Sequence, residues 1–455
     1  MTVRVRKRQP PPSHWIGVRK YWRLLGLPLR QALVELNASH LSQHAMILGS
    51  TGSGKSVALL HTLAGDLMRG HSIVILDASG DMAFAGFELA ARSGISPDKV
   101  KLFDLRERKR PLGFNPLGGS AGVEPHIRAL HLVDAVAARF GELGPQSSEY
   151  LRYAALVTAE SGGSLTHFEG LFYDRAVRSE LISRATSESV RAFWRRYDAL
   201  SIDRQTALAP PVMNKVSGLL ATEGLRRTLG HPEPLDLARH LATPGSVTLI
   251  SLATAELHSA GWAIGNLLLS CICREIFSQV DVPESHRNGV RVYVDEFASF
   301  ATQPFEVCLA QGRRFGLSVV LVAQNIAQLE PRIRAILLGN CGCKLVFRSS
   351  HADSLILNRD LTGTKDTFDI ASLRTGEAVL WRRGESPFEI EINAPLIRDV
   401  GQLSPLALDF LAEVRAQQPS FPEPGPELSH LVTKAAHVKS GPRESPARGL
   451  EDWLQ

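Results

Sequence analysis

The chain has 455 residues, 44% of them hydrophobic and 7% aromatic, which supplies a large packed core and excludes a chain disordered throughout. Its formal net charge of +5 is too small by itself to argue for nucleic acid. No uninterrupted apolar run approaches the roughly 20 residues of a membrane-spanning helix, the longest, around Trp262 to Ile272, being broken by Gly265, Asn266 and Ser270.

In chain order, the segment 1–40 comes first. It carries Arg4, Arg6, Lys7, Arg8, Arg19, Lys20, Arg23 and Arg30 ahead of any acidic residue, interleaved with Trp15, Tyr21 and Trp22. It reads either as a contact for DNA phosphates or an anionic membrane surface, or as a solvated basic tail. It lacks the apolar core of a secretory signal, so the expected location is the cytoplasm, with any membrane contact peripheral.

Apolar runs then alternate with helical stretches, the pattern of an α/β fold with a mostly parallel sheet. Strands are predicted at 45–48, 72–77, 99–104, 246–251, 290–294, 317–322 and 343–347. Near-continuous Val, Ile and Leu in most of them implies burial on both faces. Between 121 and 242 the strand signal vanishes and apolar residues recur at three- and four-residue spacing, as in Ile127, Leu130, Val133, Val136, Ala137 and Phe140. This predicts an all-α insertion domain projecting from a discontinuous core of 41–120 and 243–395, punctuated at Gly144-Pro145, Gly162-Gly163 and Pro210-Pro211. A C-terminal helix and flexible tail occupy 396–455, and Trp453 between leucines stands out there as a short docking peptide or a chance occurrence.

The segment that carries chemistry begins at His44-Ala-Met-Ile-Leu and continues Gly49-Ser-Thr-Gly52-Ser-Gly54-Lys55-Ser56. It matches the P-loop pattern in full, with an apolar strand before and a helix after. Gly49, Ser50, Thr51, Gly52, Ser53, Gly54, Lys55, Ser56 and Val57 would cradle phosphates with backbone N–H groups at a helix N-terminus. Lys55 would reach the β- and γ-phosphates of ATP, and the Ser56 hydroxyl would ligate Mg²⁺. A carboxylate at the end of a neighbouring buried strand is also needed, and Val290-Arg-Val-Tyr-Val-Asp295-Glu296 supplies one. Asp295 would hold Mg²⁺ and Glu296 would polarise the attacking water as general base. Gln324, a lone amide ending an apolar run, is a γ-phosphate sensor or a loop cap. Asp77 and Asp81 read as turn and helix-cap residues. The Leu-Ser-Gly-Gly-Gln signature of transporter ATPases is absent, and Met213-Asn214-Lys215-Val216 lacks the Asp that would read guanine. Five cysteines, four of them in apolar segments as Cys271/Cys273 and Cys341/Cys343, read as reduced core thiols.

The order of motifs resembles the HerA/FtsK superfamily, in particular TraG/TraD-like conjugative coupling proteins of type IV secretion. The pieces that carry it are His44 to Ser56, Val74 to Asp81, Gly113-Phe-Asn115-Pro116-Leu117, Tyr293-Val-Asp295-Glu296-Phe297, Gly312-Arg313-Arg314-Phe315-Gly316-Leu317 through Gln324 and Gln328-Leu329. Gly339-Asn340-Cys-Gly, Val346-Phe347-Arg348 and Leu373-Arg-Thr-Gly376-Glu377-Ala378 extend it. The resemblance implies a RecA-like P-loop NTPase that forms a hexamer and pumps DNA with ATP and Mg²⁺, its helical domain inserted between the two nucleotide motifs. It implies secretion-system or relaxosome proteins as partners, at the inner-membrane periphery. Coupling proteins commonly begin with transmembrane helices, for which this sequence shows no apolar run. The alternatives are a secretion ATPase that moves protein and a HerA-like DNA-processing translocase. A motor also needs a cation on the developing γ-phosphoryl charge, for which Arg313, Arg314 and Arg348 are the choices.

Overall fold

The computed structural model describes residues 15–20, 23–24, 27–28, 31–36, 38–119, 123–141, 143–300, 303–327, 329–364, 367–397 and 401–419. The most apolar runs form the middle of one sheet: β3 (Ala45–Leu48), β4 (Ser72–Asp77), β5 (Val100–Asp104), β6 (Val247–Ser251), β7 (Val290–Val294), β8 (Leu317–Ala323) and β9 (Cys343–Phe347). All residues of β3, β4, β6, β7, β8 and β9 are buried, as strands covered on both faces must be. They pair in parallel throughout.

Four further strands extend the sheet beyond β9: β1 (Trp15–Lys20), β2 (Gln31–Glu35), β10 (Glu377–Arg382) and β11 (Phe388–Ile392). The full order among the described residues is β2-β1-β11-β10-β9-β3-β8-β7-β4-β6-β5, and the four added strands all pair antiparallel. These were not predicted, and the reason is physical. Phe388-Glu-Ile-Glu-Ile alternates buried and exposed residues, the pattern of a half-wet antiparallel strand rather than a run of core residues. The basic segment is corrected in the same way: its described stretches Trp15–Lys20 and Gln31–Glu35 are strands of this sheet, and Arg19 lies over the Phe388 ring at 4.1 Å. Residues 1–14 and 420–455, including the expected tail and Trp453, lie outside the described residues.

Helices cover both faces. On one, α1 (Lys55–Met68), α2 (Asp81–Arg92) and a late helix, Pro405–Ala416, pack over Ile47, Ile75 and Tyr293. On the other, α3 (Thr254–Phe277) and the helices running from Pro125–Phe140 to Leu237–Ala242 share a core with Leu48, Leu76 and Val294. The described part of the stretch expected as an inserted domain is helical, and its aromatic centre at Phe172, Trp194 and Tyr197 belongs to the same hydrophobic cluster as the sheet face. The described residues form one compact unit. Gly144-Pro145 does open a helix, with Pro145 in its first turn. Pro210-Pro211 breaks nothing: both lie inside Ile202–Leu219, where burial of Ala209, Val212, Val216 and Leu219 offsets the roughly 3 kcal/mol that an interior proline costs.

The helix α3 is long and apolar enough to cross a membrane by length and composition, but 89% of its most apolar window is buried within the protein. It is a core helix.

Candidate nucleotide site

The P-loop leaves β3 after Leu48 and enters α1 at Lys55, so it sits at the carboxyl ends of the parallel strands. Two of its glycines are required by shape. At Gly49 (φ +154) a Cβ would stand 2.6 Å from Phe347 Cβ, and Gly54, which caps α1, has φ +116. Neighbouring elements tie the loop down. Gly49 N donates to Ala323 O at the end of β8 (3.3 Å) and Ser50 N to Arg348 O just past β9 (2.7 Å). From the turn before β10, Thr375 Oγ1 donates to Gly52 O (3.3 Å) and Gly376 N to Ser53 O (2.9 Å).

The loop interior fits an anion. The hydroxyls of Ser50 and Ser53 are buried with no hydrogen-bond partner among the described residues, a state that a buried polar group rarely keeps. Lys55 Nζ folds back onto Ser50 O at 2.9 Å. Burial lowers the Lys55 pKa, and the charges of Asp295 and Glu296 oppose that. An incoming phosphate would accept from these groups. Ser56, in the first turn of α1, is exposed.

Asp295 follows β7 immediately, and its N–H donates to Leu76 O of β4 (3.0 Å). Burial, then the nearby Asp77 carboxylate, push its pKa up to about 6, while the Glu296 N–H on its Oδ1 (3.0 Å) and Lys55 pull the other way. Glu296 is exposed and stands at φ 54, left-handed for a residue with a side chain. Such strain is worth of order 1–3 kcal/mol and clusters at functional sites. Asp77 is buried and spent on structure: its carboxylate accepts from Ser79 N (3.0 Å) and Oγ (3.1 Å) and from Ala83 N (3.0 Å), capping α2. Asp81 opens that helix.

Gln324 follows β8, the strand between β3 and β7. Its Oε1 accepts from Thr51 Oγ1 of the P-loop at 3.2 Å. The loop beyond it is anchored by buried Asp353, which accepts from Ile326 N (3.1 Å) and Ala327 N (2.7 Å).

The three arginines separate. Arg348 touches the P-loop through its carbonyl. Arg313 and Arg314 lie in a turn, Gly312–Phe315, before β8, at the opposite end of a seven-residue strand and so roughly 20 Å from their own P-loop.

Sequence reasoning missed a buried network behind the site. Asp66 of α1 accepts from Arg291 and from the Tyr293 hydroxyl, both on β7, and Arg291 Nε also reaches Ser318 Oγ on β8 at 3.1 Å. The available signal was an arginine inside an otherwise apolar strand, which demands a buried partner.

Comparisons with known proteins agree with this arrangement. The family model described as "Helicase HerA, central domain" matches residues 27–166, and that described as "TraM recognition site of TraD and TraG" matches 289–378. No curated protein matches at a significant level. Among solved structures, the bacterial conjugative coupling protein TrwB is similar over 82% of this chain and 89% of its own, at 18% identity and TM-score 0.59. TrwB with ADP and Mg²⁺ gives 85%, 92%, 18% and 0.57 in the same order. VirB4 of Thermoanaerobacter pseudethanolicus gives 85%, 98%, 13% and 0.55. The shared fold is the RecA-like P-loop fold, and the two family models fall on the two segments that build the site, an arrangement consistent with HerA/FtsK-type proteins of TraG/TraD-like kind.

Proposed function

We propose that this protein is an ATP-hydrolysing motor of the conjugative coupling or type IV secretion kind, that its translocated polymer is DNA, and that it works as a hexameric ring. The observation that carries the reading is the convergence of Lys55, Asp295, Glu296 and Gln324 on the carboxyl edge of three adjacent strands, β3, β8 and β7. TrwB, which shares the fold, has been solved with ADP and Mg²⁺ and with a non-hydrolysable ATP analogue. The partners that fit this reading are relaxosome or secretion-system proteins, met at the cytoplasmic periphery of the inner membrane.

In this reading the P-loop N–H groups and Lys55 hold the β- and γ-phosphates, and Ser56 and Asp295 hold Mg²⁺. The metal, when bound, neutralises charge on the phosphate oxygens. Glu296 accepts the proton of the attacking water. Gln324, already bonded to Thr51, reports whether the γ-position is filled to the loop that Asp353 anchors. Arg348 stands on its own site's edge, whereas Arg313 and Arg314 face away from it, so one of this pair serves the neighbouring subunit.

Rates of ATP turnover with and without single- and double-stranded DNA across a range of salt test the proposal. Stimulation by DNA that weakens with salt is expected. Stimulation by a secreted protein but not by DNA would instead favour a protein-moving ATPase.

A further inference from the structure

Among the described residues, every hydrogen bond that holds the P-loop from outside comes from one of three places, and they are not equivalent. Two come from strand ends: Ala323 O and Gln324 Oε1 beside β8, and Arg348 O beside β9. The third comes from the turn before β10, which pins Gly52 O with the Thr375 hydroxyl and Ser53 O with the Gly376 N–H. Gly52 (φ +72) and Gly54 (φ +116) give this part of the loop backbone freedom that the strand ends do not restrain. The turn itself is secured: Ile392 N donates to Gly376 O at 2.8 Å, tying it to the end of β11. In the sheet, β10 lies on the far side of β9 from β3, whereas the Asp295-Glu296 strand lies on the other side of β3, past β8.

We propose that Thr375 and Gly376 form a positioning element for the nucleotide, one that fixes the phosphate-binding N–H groups before the ligand arrives and so sets affinity rather than the hydrolytic step. The inference rests on the nucleotide-binding reading given above. A loop that must be ordered on binding spends affinity on that ordering, and a pre-ordered one does not. Because the turn stands across the P-loop from Asp295, Glu296 and Gln324, loosening it leaves the geometry of water attack in place. Arg374 and the family-like motif around it thereby acquire a physical role: they present Thr375 to the loop, with Arg374 N donating to Glu377 Oε2 at 3.1 Å to shape the turn.

The test is titration of a fluorescent ATP analogue into the full chain, with steady-state kcat and KM for ATP, for the wild type, Thr375→Val and Thr375→Ser. Thr375 is exposed, so the isosteric valine is compatible with folding, and thermal melting checks this. Loss of one neutral hydrogen bond should weaken affinity and raise KM about three- to tenfold, with kcat within twofold and Thr375→Ser near wild type. Unchanged affinity in Thr375→Val, a loss of kcat in place of affinity, or failure of serine to restore binding would each overturn the inference while leaving the nucleotide site intact. A wild type that binds no analogue would overturn both.

Discussion

At Lys55 the ammonium is held against the loop it would serve, and no other described side chain donates into the loop interior from α1. Charge-assisted bonds of this kind contribute about 1.5–3 kcal/mol each. Lys55→Ala is therefore expected to weaken ATP binding at least about tenfold and to reduce turnover to background, read by nucleotide titration and phosphate release. Glu296→Gln keeps the shape of the site and removes the proton acceptor. It should bind nucleotide like the wild type and turn over about 10²–10⁴-fold more slowly; loss of binding would refute the role given to Glu296. His44, at the entry to β3, offers a prediction about stability. Burial, reinforced by the Arg313 guanidinium, holds its pKa down at about 4. Its neutral ring bonds Leu309 O (3.1 Å) and accepts from Val319 N (3.1 Å). A histidine depressed in this way stabilises the fold above its unfolded value of 6.5, and that contribution is lost as pH falls toward 4. The shift corresponds to about 3 kcal/mol. Buried His240, also near 4, adds a second share. Melting temperature should drop between pH 6.5 and 4, and less steeply in His44→Gln; the same slope in both proteins would rule this out.

At the scale of elements, α1 is fixed to the sheet by the buried contacts of Asp66 with Arg291 and Tyr293. Removing one partner of a buried pair leaves the other uncompensated, so Asp66→Ala should destabilise the protein by about 3–5 kcal/mol in denaturant unfolding. Adding Arg291→Met should recover much of that loss, because the stranded charge goes with it. An Asp66→Ala variant as stable as the wild type would mean that the pair contributes nothing. The N-terminal segment now separates into two parts. Strand β1 pairs with β11, Gly17 opposite Ile392, and with β2, so a truncation through residue 23 removes a sheet strand and confounds any DNA measurement. A truncation of 1–14 spares β1 and removes Arg4, Arg6, Lys7 and Arg8. If these meet phosphates, the slope of log affinity against log salt should flatten by about 0.9 per lost contact. An unchanged slope would make them a solvated tail. The strands legible in the sequence were those of the parallel block, where burial on both faces writes a continuous apolar run. β10, β11, β1 and β2 were not legible: β11 carries charge on alternate positions, and the other three are short apolar runs bounded by charged or polar residues, which resemble loop or tail.

For the whole molecule, the decisive feature is that Arg313 and Arg314 stand at the amino ends of the strands whose carboxyl ends carry the P-loop site. A ring that brings one subunit's amino edge to the next subunit's nucleotide completes the site in trans, where an added arginine is commonly worth about 10³–10⁵ in turnover. Arg313→Ala and Lys55→Ala subunits, each inactive alone, should regain partial activity when mixed, because some interfaces join an intact P-loop to an intact arginine. Proven co-assembly without recovery would assign the finger to Arg348, which lies by its own loop, or to no arginine of this set.

What the sequence by itself determined is what contiguous residues can encode. A strand, a glycine-rich loop, a lysine and a helix follow one another within Ala45–Met68 and carry the groups of a phosphate cradle in one stretch, and an apolar strand ending in Asp295-Glu296 presents its carboxylates wherever that strand lies. Only the tertiary structure decided which strands are neighbours. The Thr51–Gln324 contact spans 273 residues, Asp66–Arg291 spans 225 and Thr375–Gly52 spans 323. Spacing along a chain says nothing about such distances, because they are set by the order in which eleven strands are laid side by side. That order, with β3 inserted between β8 and β9, gathers Gln324, Arg348 and Thr375 around one loop and sends Arg313 and Arg314 to the far edge.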